Sequence, residues 1–387
     1  MGIKSHLRRT GKTRGFTVHY RHLGVNQKKM DRWIRDYHDQ LSSIISRGTR
    51  GQAFNVFMGT RAIARGDYKP DRTWDLKGVA AYDREKRKYM KDLGLATKDD
   101  LITQRLLSYI KTLMAGGDTV SLLGEYGMRM KLQSPQTTWR TYRLGYRQVG
   151  YSHYRIRPLA MFLYAIESGN ERGLEVNTDD IALSAFLYFP PWQCSLVDEE
   201  FLMKYIDDFF DRKLKGQIDY ETMFKHLVKG VEKEVGFKLS HIYAFEQKCR
   251  NAGNEIYCTS LFLRRIGVIS IHETVPRNWS CTQMSYGKTG PAGYGIFSLT
   301  PMGKSELQKA LSCIPIWGKD IVDVFGQNWP KAVHTISLFS KNREVPKGDI
   351  SKEMIPLFPS LGIELKDTTS GYKAMKAPDF ELQYDLG

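Results

Sequence analysis

A mainly helical α+β fold is predicted for this chain of 387 residues. Apolar residues recur at helical spacing in several capped stretches, and one pair of alternating β-type segments stands among them. Hydrophobic residues make up 41% and charged residues 26%, so the chain can bury real cores. Its length corresponds to two to four domains at roughly 100–200 residues each.

The elements follow in order. The first 21 residues carry Lys4, Arg8, Arg9, Lys12, Arg14 and Arg21 broken by glycine and threonine, which predicts a flexible or partly extended arm. Met30, Trp33, Ile34, Tyr37, Leu41, Ile44 and Ile45 predict an amphipathic helix over 26–46, closed by Gly48. A second helix over 76–93 turns its charged run at 83–88 to solvent and ends at Gly94. Asp99 or Asp100 is the expected cap of a third, 101–114. Pro158 suits the first turn of an apolar helix over 158–167, because the N–H it lacks has no partner there. Asn177 or Thr178 caps a short helix that stops before Pro190, and two more helices are expected over 198–215 and 220–235.

The clearest local pattern runs from Ile256 to Ser312. A helix with Tyr257, Leu261, Leu263 and Ile266 passes Gly267 into the alternating segment G-V-I-S-I-H. A loop rich in glycine and proline follows, then Y-G-I-F-S-L, then a last helix opened by Thr300-Pro301. Helix, strand, long turn, strand and helix is the shape of a winged helix, and the preceding capped helices suit a helix-turn-helix domain. The expected class is therefore α+β, mainly helical, with several helix-turn-helix or winged-helix subdomains.

Charge carries the functional signal. The net charge is +16, yet residues 1–157 hold 32 Lys and Arg against 13 Asp and Glu, and the remaining 230 residues sum to -3. A half this basic predicts a polyanion partner, and nucleic acid is the commonest, since Lys and Arg displace condensed counterions from any base sequence. An anionic membrane surface would need a basic amphipathic helix with a broad apolar face, whereas the cations here are mixed with Gly, Thr and Tyr. The densest stretch, Trp139–Arg157, interleaves Arg140, Arg143, Arg147, Arg155 and Arg157 with Tyr142, Tyr146, Tyr151 and Tyr154 and contains no acid. Arginine forks can hold phosphates or guanine edges, and tyrosine can stack. The competing reading is a surface loop whose rings cover a domain junction. Arg8, Arg9, Lys12 and Arg14 would hold phosphates or enter a minor groove. Unpaired RNA is a further possible partner of the Arg/Tyr stretch.

Other chemistries find little support. No segment approaches the roughly 18 apolar residues of a membrane span, and Met1–His6 has no signal-peptide core. The five cysteines are scattered without a C-x-x-C pair, which predicts reduced thiols and a cytoplasmic protein. Gly11-Lys12-Thr13 has no glycine at the required earlier position, and none of the nine histidines stands in a zinc or triad pattern.

Three pieces of sequence resemble the DNA-recognition region of FokI-like and AlwI-like type IIS restriction endonucleases. M-R-M-K-L-Q-S-P-Q, then Y-R-I-R-P-L-A-M-F-L-Y-A-I and L-E-V-N-T-D-D-I-A-L-S-A-F, look like its linked helices. L-F-L-R-R-I-G-V-I-S-I-H with F-S-L-T-P-M-G resembles its later winged helix, and S-G-Y-K-A-M-K-A-P-D-F-E-L looks like the opening of a PD-(D/E)xK nuclease core. The resemblance covers about residues 128–387. It implies a sequence-specific, double-stranded DNA-binding portion of a restriction or nicking enzyme, monomeric when binding, that would work with a nuclease domain or subunit in trans. It also implies Mg2+ for the complete enzyme and makes Asp379 the first catalytic and metal-holding carboxylate. The matching (D/E)xK half does not follow Asp379, since no Lys or Arg lies between it and Gly387, so binding without cleavage is expected of this chain and no cofactor is evident for it. The expected division is a basic recognition subdomain with its arm over 1–150, a helical helix-turn-helix-like subdomain over 151–240 and a winged helix over 241–315. Residues 316–387 would be a connector and first nuclease fragment. A non-enzymatic regulator or replication factor, with a structural C-terminal tail, is the alternative, and an ordinary turn is the alternative for Pro378-Asp379.

Overall fold

The computed structural model describes residues 24–47, 89–97, 100–131, 154–186, 197–223, 252–274 and 294–386. They are mainly helical, with small sheets of two or three strands, and fall into two compact units. One, the split unit, is built from residues within 25–130 and 312–386, and the other, the central unit, from residues within 154–311.

The split unit begins with α1, Gln27–Arg47. Its apolar stripe is buried as the spacing predicts, with Met30, Trp33, Ile34, Tyr37 and Leu41 each at most 3% exposed. The next helix, α2, is Gln104–Met114 and starts later than predicted. Its cap is Thr103, not Asp99 or Asp100, because the chain first turns at Asp100 (φ 66°) and bridges Ala96 to Ile102. Thr103 Oγ1 donates to Gly94 O at 2.6 Å while accepting from Leu106 N. Helix α3, Thr119–Met128, is capped by Asp118, whose carboxylate accepts from Val120 N and Ser121 N. Asp31 of α1 ties these helices together, accepting from Tyr109 Oη at 2.7 Å and Thr119 Oγ1 at 3.2 Å.

The central unit opens with β1, Tyr154–Arg155, which leads into α4, Pro158–Glu171. Leu159, Ala160, Met161, Phe162, Leu163, Ala165 and Ile166 of α4 are all buried, so this helix is a core element with little polar face. Strand β2, Val176–Asn177, leads directly into the short helix α5, Thr178–Ile181, which continues as a wider turn through Phe186. Asn177 caps it as predicted, in a reciprocal box: Asp180 N donates to Asn177 Oδ1 and Asn177 N to Asp180 Oδ2. Strand β3, Val197–Asp198, pairs in parallel with β1 and feeds α6, Glu199–Leu214. After α7, Ala252–Arg265, come β4, Ile269–Glu273, and β5, Gly295–Leu299, antiparallel over five residue pairs, then α8, Pro301–Leu311.

The sheet of the central unit runs β2-β5-β4. Val176 therefore pairs with Phe297, and the capped helices and the β-hairpin, expected as two separate subdomains, share one sheet. Phe297 meets Phe162 of α4 edge to face at 5.9 Å. Close approach is built in at Gly303, where a Cβ would lie 1.9 Å from Val268 O. Helix α8 can pack against the strand only because that position has no side chain.

The chain then returns to the split unit through β6 (Ile314–Pro315), α9 (Gly318–Phe325) and α10 (Trp329–Phe339). Three short strands, β7 (Val345–Pro346), β8 (Leu365–Asp367) and β9 (Gly371–Ala374), make a sheet in the order β7-β9-β8. Strand β10, Pro378–Asp379, pairs in parallel with β6, and α11, Leu382–Asp385, follows. Phe325, Phe339 and Phe358 pack with Ile316, Ile321, Ile336, Met354 and Ile363 into a continuous core. Residues 316–370, whose four prolines (Pro330, Pro346, Pro356 and Pro359) suggest a connector, are thus packed structure with apolar side chains of their own.

Candidate nucleic-acid interface and the Asp379 cluster

Of the nine cations predicted to touch DNA, Arg8, Arg9, Lys12, Arg14, Arg140, Arg143 and Arg147 lie outside the described residues. Arg155 sits in β1, half-buried, beside Asp198 of β3. Arg157 is placed differently from the expectation. The residue is 2% exposed and its guanidinium engages Glu199, with Nε to Oε1 at 2.9 Å and Nη2 to Oε2 at 2.6 Å. Its backbone N donates to Glu199 Oε1 as well, at 2.7 Å. A cation enclosed in this way joins the start of α4 to the start of α6 and presents no charge to a phosphate, so the DNA-contact role read for Arg157 is withdrawn.

Asp379 lies on β10 and is 7% exposed. The parallel pairing with β6 holds it in place: Ile314 N donates to Ala377 O and Ile316 N to Asp379 O. Its Oδ1 accepts from Arg129 Nε at 2.7 Å and lies 2.6 Å from Arg129 Nη2. Arg129 Nη1 also reaches Glu381 Oε2, at 3.1 Å. Burial works against the charged form of Arg129, but Asp379 first and Glu381 next hold its pKa above the ordinary guanidinium value. Glu381 is shared with Arg105, which donates from Nε to both carboxylate oxygens and from Nη2 to Oε2 at 2.7 Å. Arg105 is itself 5% exposed and lies between two rings, 4.9 Å from the Tyr126 centroid and 4.8 Å from that of Tyr384. Its Nη1 donates to Leu93 O. Gly94, with φ 74°, leaves the room: a Cβ there would come within 2.8 Å of Tyr384 and 3.0 Å of Arg105. Asp385, fully buried, accepts from Glu381 N at 2.7 Å.

The resemblance assigns Asp379 to Mg2+, and the surrounding residues do not fit that assignment. A catalytic Mg2+ needs oxygen ligands that can face the ion together with water and substrate. Here two guanidiniums lie on the carboxylates of Asp379 and Glu381. The arrangement is an ionic clasp that fastens the C-terminal strand and helix to α2 and α3. Pro378-Asp379 and Glu381 were visible in the sequence as carboxylates. Their arginine partners were not, being about 250 residues or more away, and only the presence of Arg105 on the apolar side of its helix hints at a buried role.

A second carboxylate organises the central unit. Asp180, fully buried, accepts from Lys213 Nζ at 2.6 Å and Tyr220 Oη at 2.8 Å besides its bond to Asn177 N. Burial pushes its pKa above the ordinary carboxylate range, and Lys213 opposes that shift. Lys213 also donates to Glu175 O at 2.6 Å, so β2, α5 and α6 converge on one charge pair. Asp180→Ala is expected to destabilise the protein by about 3 kcal/mol, because it leaves a half-buried ammonium without its counter-charge and a phenol without its acceptor. Urea unfolding would show this as a lower midpoint at unchanged m-value, and a midpoint within error of the parent's would refute the role.

No protein-family model, curated protein or solved structure matches the chain. No described helix is long and apolar enough to cross a membrane.

Proposed function

We propose that this chain recognises double-stranded DNA by sequence, as the binding portion of a type IIS-like restriction or nicking endonuclease. The observation that carries the reading is the segregation of charge, with +19 in residues 1–157 and -3 in the rest. A polyanion that approaches such a chain meets its cations in one part, and phosphate neutralisation supplies most of the non-specific affinity for duplexes. The topology of the central unit supports it. Its described elements run α4-β2-α5-β3-α6-α7-β4-β5-α8, with β2 beside β5, and we read this order as a winged helix into which β3 and α6 are inserted. In that arrangement α7 is the helix to be laid in the major groove, and its exposed Arg264 lies in its last turn.

One observation favours a second reading, a DNA-binding protein that is not a nuclease. The carboxylates of Asp379 and Glu381 are held by Arg129 and Arg105, which is what a structural C-terminal tail requires.

Selection of bound sequences from randomised duplexes in Mg2+ buffer tests both. A short, asymmetric, uncut consensus is the expected result. A palindromic consensus favours the regulator, and the absence of binding to any duplex refutes DNA recognition. Cleavage would place an active site elsewhere in the chain.

A further inference from the structure

Helix α1 is basic along its exposed side. Its inner side holds Met30, Trp33, Ile34, Tyr37 and Leu41. Asp31 accepts from Gln27, Tyr109 and Thr119, and Asp36 is 6% exposed. The exposed positions over 27–42 are Lys28, Arg32, Arg35, Asp39 and Ser42. Lys28, Arg32 and Arg35 stand at i, i+4 and i+7, the spacing that lines one side of a helix. They span about 10 Å at 1.5 Å of rise per residue, and the exposed acid, Asp39, follows only after them, beside His38.

We propose that the outer face of α1 tracks the phosphate backbone of a bound duplex through Lys28, Arg32 and Arg35, without reading bases. The proposal rests on the DNA-binding reading above and adds a contact surface to it. The chemistry of the face selects phosphates over an acidic protein. Protein partners are anchored by buried aromatic or aliphatic side chains at the centre of their interface, and every exposed position over 27–42 is polar or charged. A duplex asks for no such anchor, since it presents about one charge per 1.7 Å of its axis. The helix also belongs to the part of the chain that holds the entire charge excess. Side chains as long as lysine and arginine reach phosphates while the helix axis stays outside the groove, which separates this role from groove insertion.

The test is the triple substitution Lys28→Gln, Arg32→Gln and Arg35→Gln in the full chain. These positions are exposed, and an unchanged thermal midpoint would verify the fold. Binding to the selected duplex and to a random one is measured over a series of KCl concentrations. The expected slope of log Kobs against log [KCl] is shallower by about 2.7, at about 0.9 per phosphate contact, and both duplexes lose affinity by the same factor, about tenfold or more near physiological salt. The exchange Lys28→Arg, Arg32→Lys and Arg35→Lys should keep the parent slope. An unchanged slope in the glutamine variant overturns the proposal, as does a loss confined to the selected duplex, which would make these residues base readers. If the parent protein binds no duplex, the DNA reading itself falls, whereas a binding parent with an indifferent variant refutes only the role of α1.

Discussion

Replacing Arg105 with alanine is expected to destabilise the protein by about 3–4 kcal/mol. Three losses combine. The charge-assisted bonds to Glu381 and the bond to Leu93 O disappear, at about 1.5–3 kcal/mol for such bonds. The guanidinium no longer lies between Tyr126 and Tyr384, at about 0.5–1 kcal/mol per ring or more when desolvated. A cavity opens beneath both rings, and Gly94 offers no side chain to close it. Arg105→Lys keeps the charge without the planar fork and should recover about half. Glu381→Gln keeps an acceptor and should cost only about 1 kcal/mol, since Glu381 is 28% exposed and its partners lose less. A double-mutant cycle between Arg105→Ala and Glu381→Ala isolates the pair, with an expected coupling of about 1–3 kcal/mol. Buried Trp33 and Trp317 lie in the same unit and report its unfolding in urea by fluorescence. A loss below about 1 kcal/mol for Arg105→Ala would show that the clasp does not hold the C-terminal strand and would reopen Asp379 to other roles.

How far residues could be read depended on the range of their interactions. Met30, Trp33, Ile34 and Tyr37 announce α1 because helical period and burial are the same fact seen twice. Asn177 could be read as a cap because its partner, Asp180, is three residues away. The β4-β5 hairpin was legible through alternation, whereas β2 is two residues long and offers none, so its pairing with Phe297 emerges only in three dimensions. The prolines of 316–370 misled for a local reason. Pro330 and Pro356 stand in first turns of helical segments and Pro346 in a short edge strand, positions where a missing N–H costs nothing. For the candidate site, composition located the basic part of the chain, but whether a given cation is enclosed or exposed is set by the fold. Lys28, Arg32 and Arg35 are exposed on α1, while Glu199 reaches back 42 residues to enclose Arg157. Counting charges along a chain cannot separate these two fates, because both depend on which face of a helix meets the core.

That last contrast yields an experiment that sets stability against binding. Arg157→Ala is expected to cost about 3–5 kcal/mol, the range for breaking a buried pair, because it strands Glu199, 7% exposed, with a backbone N–H as its remaining donor from residue 157. The alternative that both charges could be dispensed with is testable in the same series. Arg157→Met combined with Glu199→Leu should restore most of the lost stability, since apolar side chains of similar volume remove the charge without leaving its partner buried. In that folded double variant, duplex affinity and its salt dependence should match the parent's, because the guanidinium of Arg157 faces Glu199 and contributes no phosphate contact. The α1 substitutions predict the opposite pair of results, unchanged stability with a shallower salt slope. If the Arg157→Met, Glu199→Leu protein instead binds DNA more weakly at full stability, Arg157 leaves its buried partner on binding and becomes a DNA contact that the unbound fold conceals.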